Sequence, residues 1–293
     1  MPSDIVPDLL EDIQKDFQRQ FKSNSKVINI YGKIKSHVAT YKEANEFSIE
    51  CGEMLARAFK KYLTADVLPE GRMWYNIATR ILTPTLRTNY SLITDVTNAT
   101  QQIFNDDNGI GLSPITPAFN TNRLNGLIDK VSNAEHYEDV EWVMDEPIVN
   151  FSQSIVDQAI KDNADFQYNA GMTPKIRRTV VGGCCEWCQA LAGTYDYPYV
   201  PSDIYRKHER CRCTVEYISA NKKQNVWTKK TEYFSEETPA ERQKRLLNEQ
   251  KEQQAVNNRM AEKNTVQELL RQHPDWSEKG ATIYYRTHLA TRS

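Results

Sequence analysis

The chain has 293 residues, which is enough for one large domain or two modest ones with a substantial core. Its 37 Lys and Arg residues nearly balance its 39 Asp and Glu residues, so the overall charge predicts neither a nucleic-acid nor a membrane partner. The N-terminal residues do not combine a basic segment with an apolar run, and no apolar stretch is long enough to span a bilayer. We therefore expect a soluble protein made in the cytoplasm, without a membrane partner.

The first third of the chain has the apolar spacing of amphipathic helices. Four apolar residues spaced by four share one helical face: Leu9, Ile13, Phe17 and Phe21. A wider stripe runs from Phe47 to Tyr62 and stops near Pro69, a helix-breaking position. Residues 72–104 continue the pattern, with Pro84 as either a kink or a boundary between two helices. We predict a helical N-terminal region over residues 1–104.

Residues 105–146 predict a connector with short helices. Asn, Asp, Gly and Pro are dense up to Asn122, which favours turns. Short helical pieces are expected at Leu124–Val131 and Val140–Met144. Pro147 then suits the first turn of a longer helix that we expect to end near Gly171.

The rest of the chain predicts a small module and a charged tail. Within residues 147–230, strand-like segments at Arg177–Val181 and Cys213–Tyr217 flank a cysteine-rich stretch. Residues 231–293 predict a charged helical C-terminal extension, with Thr238 as the cap of a helix over 236–263. The predicted fold class is mainly α (α+β): an elongated helical body with a small β-containing Cys/His zinc-knuckle module.

Five of the six cysteines lie between Gly183 and Tyr217, together with one of the five histidines. In chain order these possible ligands are Cys184, Cys185, Cys188, His208, Cys211 and Cys213. Zinc takes four Cys or His ligands in a tetrahedron, usually from two closely spaced pairs. Cys185 and Cys188 supply one pair and His208 with Cys211 the other, which predicts a structural zinc site.

Six donors exceed four ligand positions, so two of them must be non-ligands. Cys184 is the alternate in the first pair and has the wider spacing to Cys188, while Cys213 is the alternate to Cys211. Reduced thiols or disulfides are the other interpretations of the cluster. The remaining cysteine, Cys51, lies on an apolar helical stripe and is predicted to be a core residue.

The cysteine-rich stretch fits none of the common catalytic templates. A zinc deaminase needs H-x-E before P-C-x-x-C, whereas here the Cys pair comes first and Glu209 directly follows His208. The sequence contains no H-E-x-x-H, G-x-S-x-G or P-loop motif. We therefore predict that the protein is not an enzyme, and a zinc-dependent nuclease is the less favoured alternative.

The segment from Pro201 to Lys230 is locally basic, with eight Lys or Arg against three Asp or Glu. Four of these residues could contact DNA phosphates: Arg206, Lys207, Arg210 and Arg212. A zinc-containing DNA-binding protein is therefore an alternative function.

The order of residues in this stretch resembles the signature of a known family. The matching positions are Gly183, Cys185-x-x-Cys188, Leu191-Ala192-Gly193-x-Tyr195, Pro201-x-Asp203, His208-x-x-Cys211-Arg212-Cys213, Val215-Glu216-Tyr217 and Val226-Trp227. They resemble the minor head proteins of tailed phages, the Mu F-like head-morphogenesis group, in the form found in phages and prophages of Gram-positive bacteria. The resemblance covers residues 170–230.

The resemblance implies a structural phage minor capsid protein without enzymatic activity. Its implied location is the virion, in the capsid interior or at the portal vertex, after assembly in the host cytoplasm. Its implied partners are the phage portal protein and a scaffold or major capsid protein, and its implied role is head assembly or DNA packaging and delivery. Some relatives carry a C-terminal toxin or ADP-ribosyltransferase domain, but roughly seventy residues after the module are too few for one.

Overall fold

The computed structural model describes residues 4–182, 184–208, 210–219, 224–225, 230–231, 265–274 and 277–289, and the structural statements below concern these residues. Helices dominate, and one small antiparallel sheet carries the Cys/His cluster. The prediction of a mainly α protein with a small β-containing module is therefore confirmed. The chain forms two compact units, Met1–Glu232 and Tyr233–Ser293, which are described separately.

Three helices form the N-terminus: α1 (Val6–Ser23), α2 (Ser25–Lys35) and α3 (Tyr41–Tyr62). Helices α1 and α3 carry the two predicted apolar stripes, whereas no stripe was predicted for α2. Asn24 caps α2, because its side-chain oxygen accepts two backbone N–H groups at 2.9 and 3.0 Å. Thr40 begins α3 in a capping box with Glu43. The polar residues at these positions therefore fix where α2 and α3 begin.

Helix α4 is a single helix, Tyr75–Asp107, that contains Pro84. Pro84 predicted either a kink or a boundary, and α4 has no boundary there. The buried threonines of α4 donate their hydroxyl groups to carbonyls of the preceding turn, which satisfies them within the helix. These residues are Thr85, Thr94, Thr97 and Thr100.

An irregular segment, residues 108–120, separates α4 from α5 (Thr121–Ser132), as the turn-forming residues predict. The predicted helical piece at Leu124–Val131 is part of α5, whereas the piece predicted at Val140–Met144 is a short 3-10 helix, Glu141–Met144. Helix α6 then spans Glu146–Asn169 and has Pro147 in its first turn, as predicted.

Helices α3 and α6 approach each other closely at Gly52. A Cβ atom on Gly52 would lie 2.7 Å from Cα of Val149 and 3.0 Å from Oγ of Ser152. Only a residue without a side chain permits this approach. Cys51, next to this contact, is fully buried, so its prediction as a core residue is confirmed.

A three-stranded antiparallel sheet with the order β2-β1-β3 follows α6: β1 (Pro174–Thr179), β2 (Gly193–Asp196) and β3 (Thr214–Ser219). The short helix α7 (Glu186–Ala190) lies between β1 and β2. Strand β3 agrees with the predicted strand at Cys213–Tyr217, and β1 begins earlier than the predicted Arg177. Strand β2 was not predicted, because its four mostly exposed residues carry no apolar alternation.

The sheet is fixed to the helices through its buried face. Ile176 of β1 and Val215 of β3 belong to the same apolar core as α3 and α6. The Tyr217 ring packs edge-on against Phe104 of α4, with ring centroids 4.7 Å apart, and its hydroxyl donates a hydrogen bond to Gln167 of α6. The module and the helical body therefore share one core.

Beyond β3, Gln224–Asn225 pairs with Lys230–Thr231 as a minimal antiparallel ladder. In the second unit, α8 spans residues 265–272 and α9 spans Glu278–Tyr284, followed by a π-helical turn. The helix predicted over 236–263, with its cap Thr238, lies outside the described residues. Among the helices within the described ranges, none is both long and apolar enough to cross a lipid bilayer.

Candidate metal centre

The Cys/His cluster lies beside the sheet, where two chain segments meet. Between β1 and β2, Cys185 immediately precedes α7 and Cys188 lies within it, fully buried. The long loop between β2 and β3 returns His208 and Cys211 to the same place. These two residues share a turn, because the backbone N–H of Cys211 donates to the carbonyl oxygen of His208 at 3.1 Å.

Cys185, Cys188 and His208 form a first triad of possible metal ligands. Nε2 of His208 lies 3.3 Å from Sγ of Cys185 and 3.1 Å from Sγ of Cys188. The ring of Trp187 packs edge-on to the imidazole, with centroids 6.0 Å apart. Residues about twenty positions apart in the sequence therefore converge, and Nε2 is the imidazole atom that faces the sulfurs.

Cys188, Cys211 and Cys213 form a second triad, and all three are buried. Sγ of Cys188 lies 3.7 Å from Sγ of Cys211. Cys184, which is also among the described residues, belongs to neither triad. The structure thus brings together five of the six predicted donors, and Cys188 is the donor that the two triads share.

The separations suit a tetrahedral ion. Zn–S bonds of about 2.3 Å and Zn–N bonds of about 2.0 Å imply edges of about 3.8 Å between sulfurs and about 3.5 Å between sulfur and nitrogen. The observed S···S separation of 3.7 Å and S···N separations of 3.1 and 3.3 Å are close to these edges. The two triads could therefore bind a metal ion such as zinc.

The protonation of the sulfurs depends on their surroundings. Burial, with the thiols of Cys211 and Cys213, raises the pKa of Cys188 to about 12, although a hydrogen bond from Arg178 lowers it. Burial also raises the pKa of Cys213. The pKa of Cys185 is lowered, because its exposed sulfur accepts the backbone N–H of Cys188. Metals bind thiolates, so the buried sulfurs need a cation to displace their protons.

A buried arginine also contacts the cluster, and the sequence pattern did not single it out. Arg178 of β1 is only 1% exposed, and its Nη2 lies 3.6 Å from Sγ of Cys188 and 3.9 Å from Sγ of Cys211. A signal was present in the strand alternation, since Ile176 and Arg178 are both buried on one face of β1. An arginine at a core-facing strand position requires a polar or anionic partner.

Buried polar side chains of the helices hold the backbone around the cluster. Gln153 of α6 donates to the carbonyl oxygen of Cys211 at 3.2 Å, and Asn45 of α3 donates to that of Val215 at 2.9 Å. The cluster is therefore attached to two helices as well as to the sheet.

The four basic residues predicted as possible DNA contacts lie in different environments. Lys207 forms a buried ion pair with Asp157 of α6. Arg212 bridges Glu53 of α3 and Glu146 of α6, at 3.1 and 3.0 Å. Arg206 is largely exposed and pairs with Asp203 at 3.2 Å, and Arg210 has a backbone φ of 56°.

Comparison with known proteins adds no family assignment: no protein-family model, curated protein or solved structure matches the chain significantly.

Proposed function

We propose that this chain is a structural minor capsid protein of a tailed phage, acting in head morphogenesis, and that one zinc ion holds its Cys/His module. The observation that carries the proposal is the convergence of the Cys185, Cys188 and His208 side chains, with Cys211 beside Cys188. These donors lie within the stretch whose residue order resembles Mu F-like head-morphogenesis proteins.

A structural role for zinc follows from the donor count. Catalytic zinc sites keep one position open for water, whereas structural sites are closed by four protein ligands. The two triads share Cys188 and together offer five protein donors, more than the four positions of a closed site. The loop from β2 to β3 contains little regular structure, and a structural zinc ion can supply on the order of 10 kcal/mol of folding free energy.

The proposed capsid role requires a surface that meets other head proteins. Helix α2 and the turn after it expose apolar side chains, since Ile28 is 59% and Val38 60% exposed. We place the contact with the portal protein or with a scaffold or major capsid protein on this surface of the N-terminal helices. In this arrangement the zinc ion keeps the module rigid, while the N-terminal helices bind the partner protein.

The basic segment Pro201–Lys230 supports the DNA-binding alternative less strongly than its composition implies. Lys207 and Arg212 are already paired with carboxylates of the helical body. A phosphate contact by either residue would have to replace these ion pairs. The structural role is therefore the function that we favour.

Co-expression of the full chain with the portal protein of the same genome tests the capsid role. We expect the two proteins to co-elute on size-exclusion chromatography, and Ile28→Glu with Val38→Glu to separate them. Val181→Glu is the matched control, because Val181 is similarly exposed, at 51%, but belongs to the module. Separate peaks for the wild-type proteins would contradict the proposed portal association.

A further inference from the structure

Arg178 is a buried cation whose partners are unusual. Its Nη1 donates to the carbonyl oxygens of Ile204 and Arg206, and its Nη2 faces the sulfurs of Cys188 and Cys211. Among the residues that the structure describes, no carboxylate pairs with it, and Asp157, the buried acid that its charge influences, is already paired with Lys207.

A guanidinium stays charged at any relevant pH, and a buried charge without a counter-charge is strongly unfavourable. Backbone carbonyls are dipoles and do not neutralise it. The Trp187 ring, 5.4 Å from Cζ of Arg178, adds only a weak cation–π attraction. Among the described residues, the nearest groups that can carry a full negative charge are the sulfurs of Cys188 and Cys211, in the form of thiolates.

Metal ligation supplies those thiolates. A divalent ion bound by three thiolates and one neutral imidazole has a net charge of −1, and four thiolates would give −2. One guanidinium balances the first ligand set. The donors that match it are Cys185, Cys188, His208 and Cys211, because Nη2 of Arg178 reaches both Cys188 and Cys211.

We propose that Arg178 is the counter-ion of the metal centre: its guanidinium balances a divalent ion bound by three thiolates and one imidazole, and it favours Cys211 over Cys213 as a ligand. This inference rests on the zinc site proposed above. Arg178 is a positioning residue, because it touches the ligands and not the ion. The same side chain joins β1 to the loop that carries His208, through the carbonyls of Ile204 and Arg206.

Cobalt(II) is a spectroscopic substitute for zinc in tetrahedral thiolate sites, and it gives a direct test with the full chain. Affinity is measured by competition with a chelator, and the sulfur-to-cobalt charge-transfer band is recorded for each variant. We expect Arg178→Met to lower the affinity about 10- to 100-fold, as for other residues that support metal ligands. Loss of the positive charge should also move the band to lower energy.

Two variants separate charge from structure. Arg178→Lys keeps the charge but not the fork of donors, so we expect an intermediate affinity and a smaller band shift. Arg177→Met is the matched control, because Arg177 is the neighbouring arginine on the exposed face of β1 and should leave both readouts unchanged. If Arg178→Met does not fold, Arg178→Gln, which also removes the charge but keeps an amide donor, carries the test of the band shift.

If Arg178→Met binds cobalt more weakly but its charge-transfer band does not move, Arg178 has a purely structural role and the inference is overturned. An unchanged cobalt affinity of Arg178→Met would overturn it as well. Absence of metal binding by the wild-type chain would instead contradict the zinc site and, with it, this inference. The ligand choice has its own test: Cys211→Ser should lower the band intensity per cobalt by about a third, from three thiolates to two, and Cys213→Ser should retain it. The opposite pattern would overturn the selection of Cys211.

Discussion

Nζ of Lys207 lies 2.8 Å from Oδ2 of Asp157, and both side chains are only 5% exposed. Lys207 directly precedes the proposed ligand His208, and Asp157 lies in the middle of α6. Burial raises the pKa of Asp157, and the charge of Lys207 opposes that rise. This pair therefore ties the loop that carries His208 to the helical body.

Breaking this ion pair from one side should be costly. Asp157→Leu leaves Lys207 as an uncompensated buried charge, for which we expect a loss of about 3–5 kcal/mol in the free energy of unfolding. Asp157→Leu combined with Lys207→Met removes both charges and should recover most of that loss. Urea denaturation of the single and double variants measures the coupling. Additive losses would show that the two residues act independently.

The contact between α3 and α6 predicts a position that accepts only glycine. Gly52→Ala should lower the free energy of unfolding by about 1–3 kcal/mol, because the new methyl group would overlap Val149. The control is Gly126→Ala in α5, where no atom lies within 4 Å of the added Cβ. Alanine there should stabilise the helix by about 0.5–1 kcal/mol. Equal effects of the two substitutions in thermal denaturation would contradict the close approach.

The capping box of α3 predicts a loss of stability in acid. Burial alone would raise the pKa of Glu43, but hydrogen bonds from Lys33 and Thr40 lower it to about 2. A carboxyl group whose pKa is lower in the folded protein than in the unfolded chain stabilises the fold at pH values above the unfolded pKa. For Glu43 this stabilisation is lost as the pH falls from about 4.5 to about 2. Glu43→Gln should remove on the order of 2 kcal/mol of this pH dependence.

The control for Glu43 is Glu11→Gln, because the Glu11 carboxylate pairs with Lys15 on the open surface of α1. The free energy of unfolding is measured at several pH values between 2 and 7 for both variants. An unchanged acid-induced loss in the Glu43 variant would show that the capping box does not set it.

Substitution of Arg212 tests whether the basic residues of the segment Pro201–Lys230 stabilise the fold or bind DNA. Because it bridges carboxylates of α3 and α6, Arg212→Met should lower the free energy of unfolding by about 1–2 kcal/mol. Arg206→Met, at an exposed pair, should change it by less than about 0.5 kcal/mol. We expect no mobility shift of duplex DNA by the wild-type chain at low salt. A salt-sensitive shift that Arg206→Met weakens would instead support DNA binding.

The helices were the most predictable part of the fold, because their apolar stripes extend over several turns. The stripe from Phe47 to Tyr62 lies within α3, and Pro147 marks the start of α6. Strand β2 was missed because its four mostly exposed residues show no alternation of apolar and polar side chains. Strand β1 begins at Pro174, three residues before the predicted Arg177, and proline is accepted as the first residue of a strand.

The possible metal ligands could be predicted from the sequence, but the buried side chains that hold the backbone around them could not. Cys185 with Cys188, and His208 with Cys211, have the close spacing of ligand pairs in zinc sites. This spacing predicted that Cys185, Cys188 and His208 would meet. The roles of Asn45 and Gln153 could not be predicted, since each donates to a carbonyl distant in the chain, 170 and 58 residues away. Such contacts depend on how α3 and α6 pack, which local sequence patterns do not encode.

The most direct test of the zinc-held module is the metal content of the purified full-length chain, with its melting temperature before and after chelation. We expect one zinc ion per chain, a marked fall in melting temperature on chelation, loss of the metal in Cys188→Ser and its retention in the control Cys184→Ser. A chain without stoichiometric metal, or one whose melting temperature is unchanged by chelation, would contradict the account.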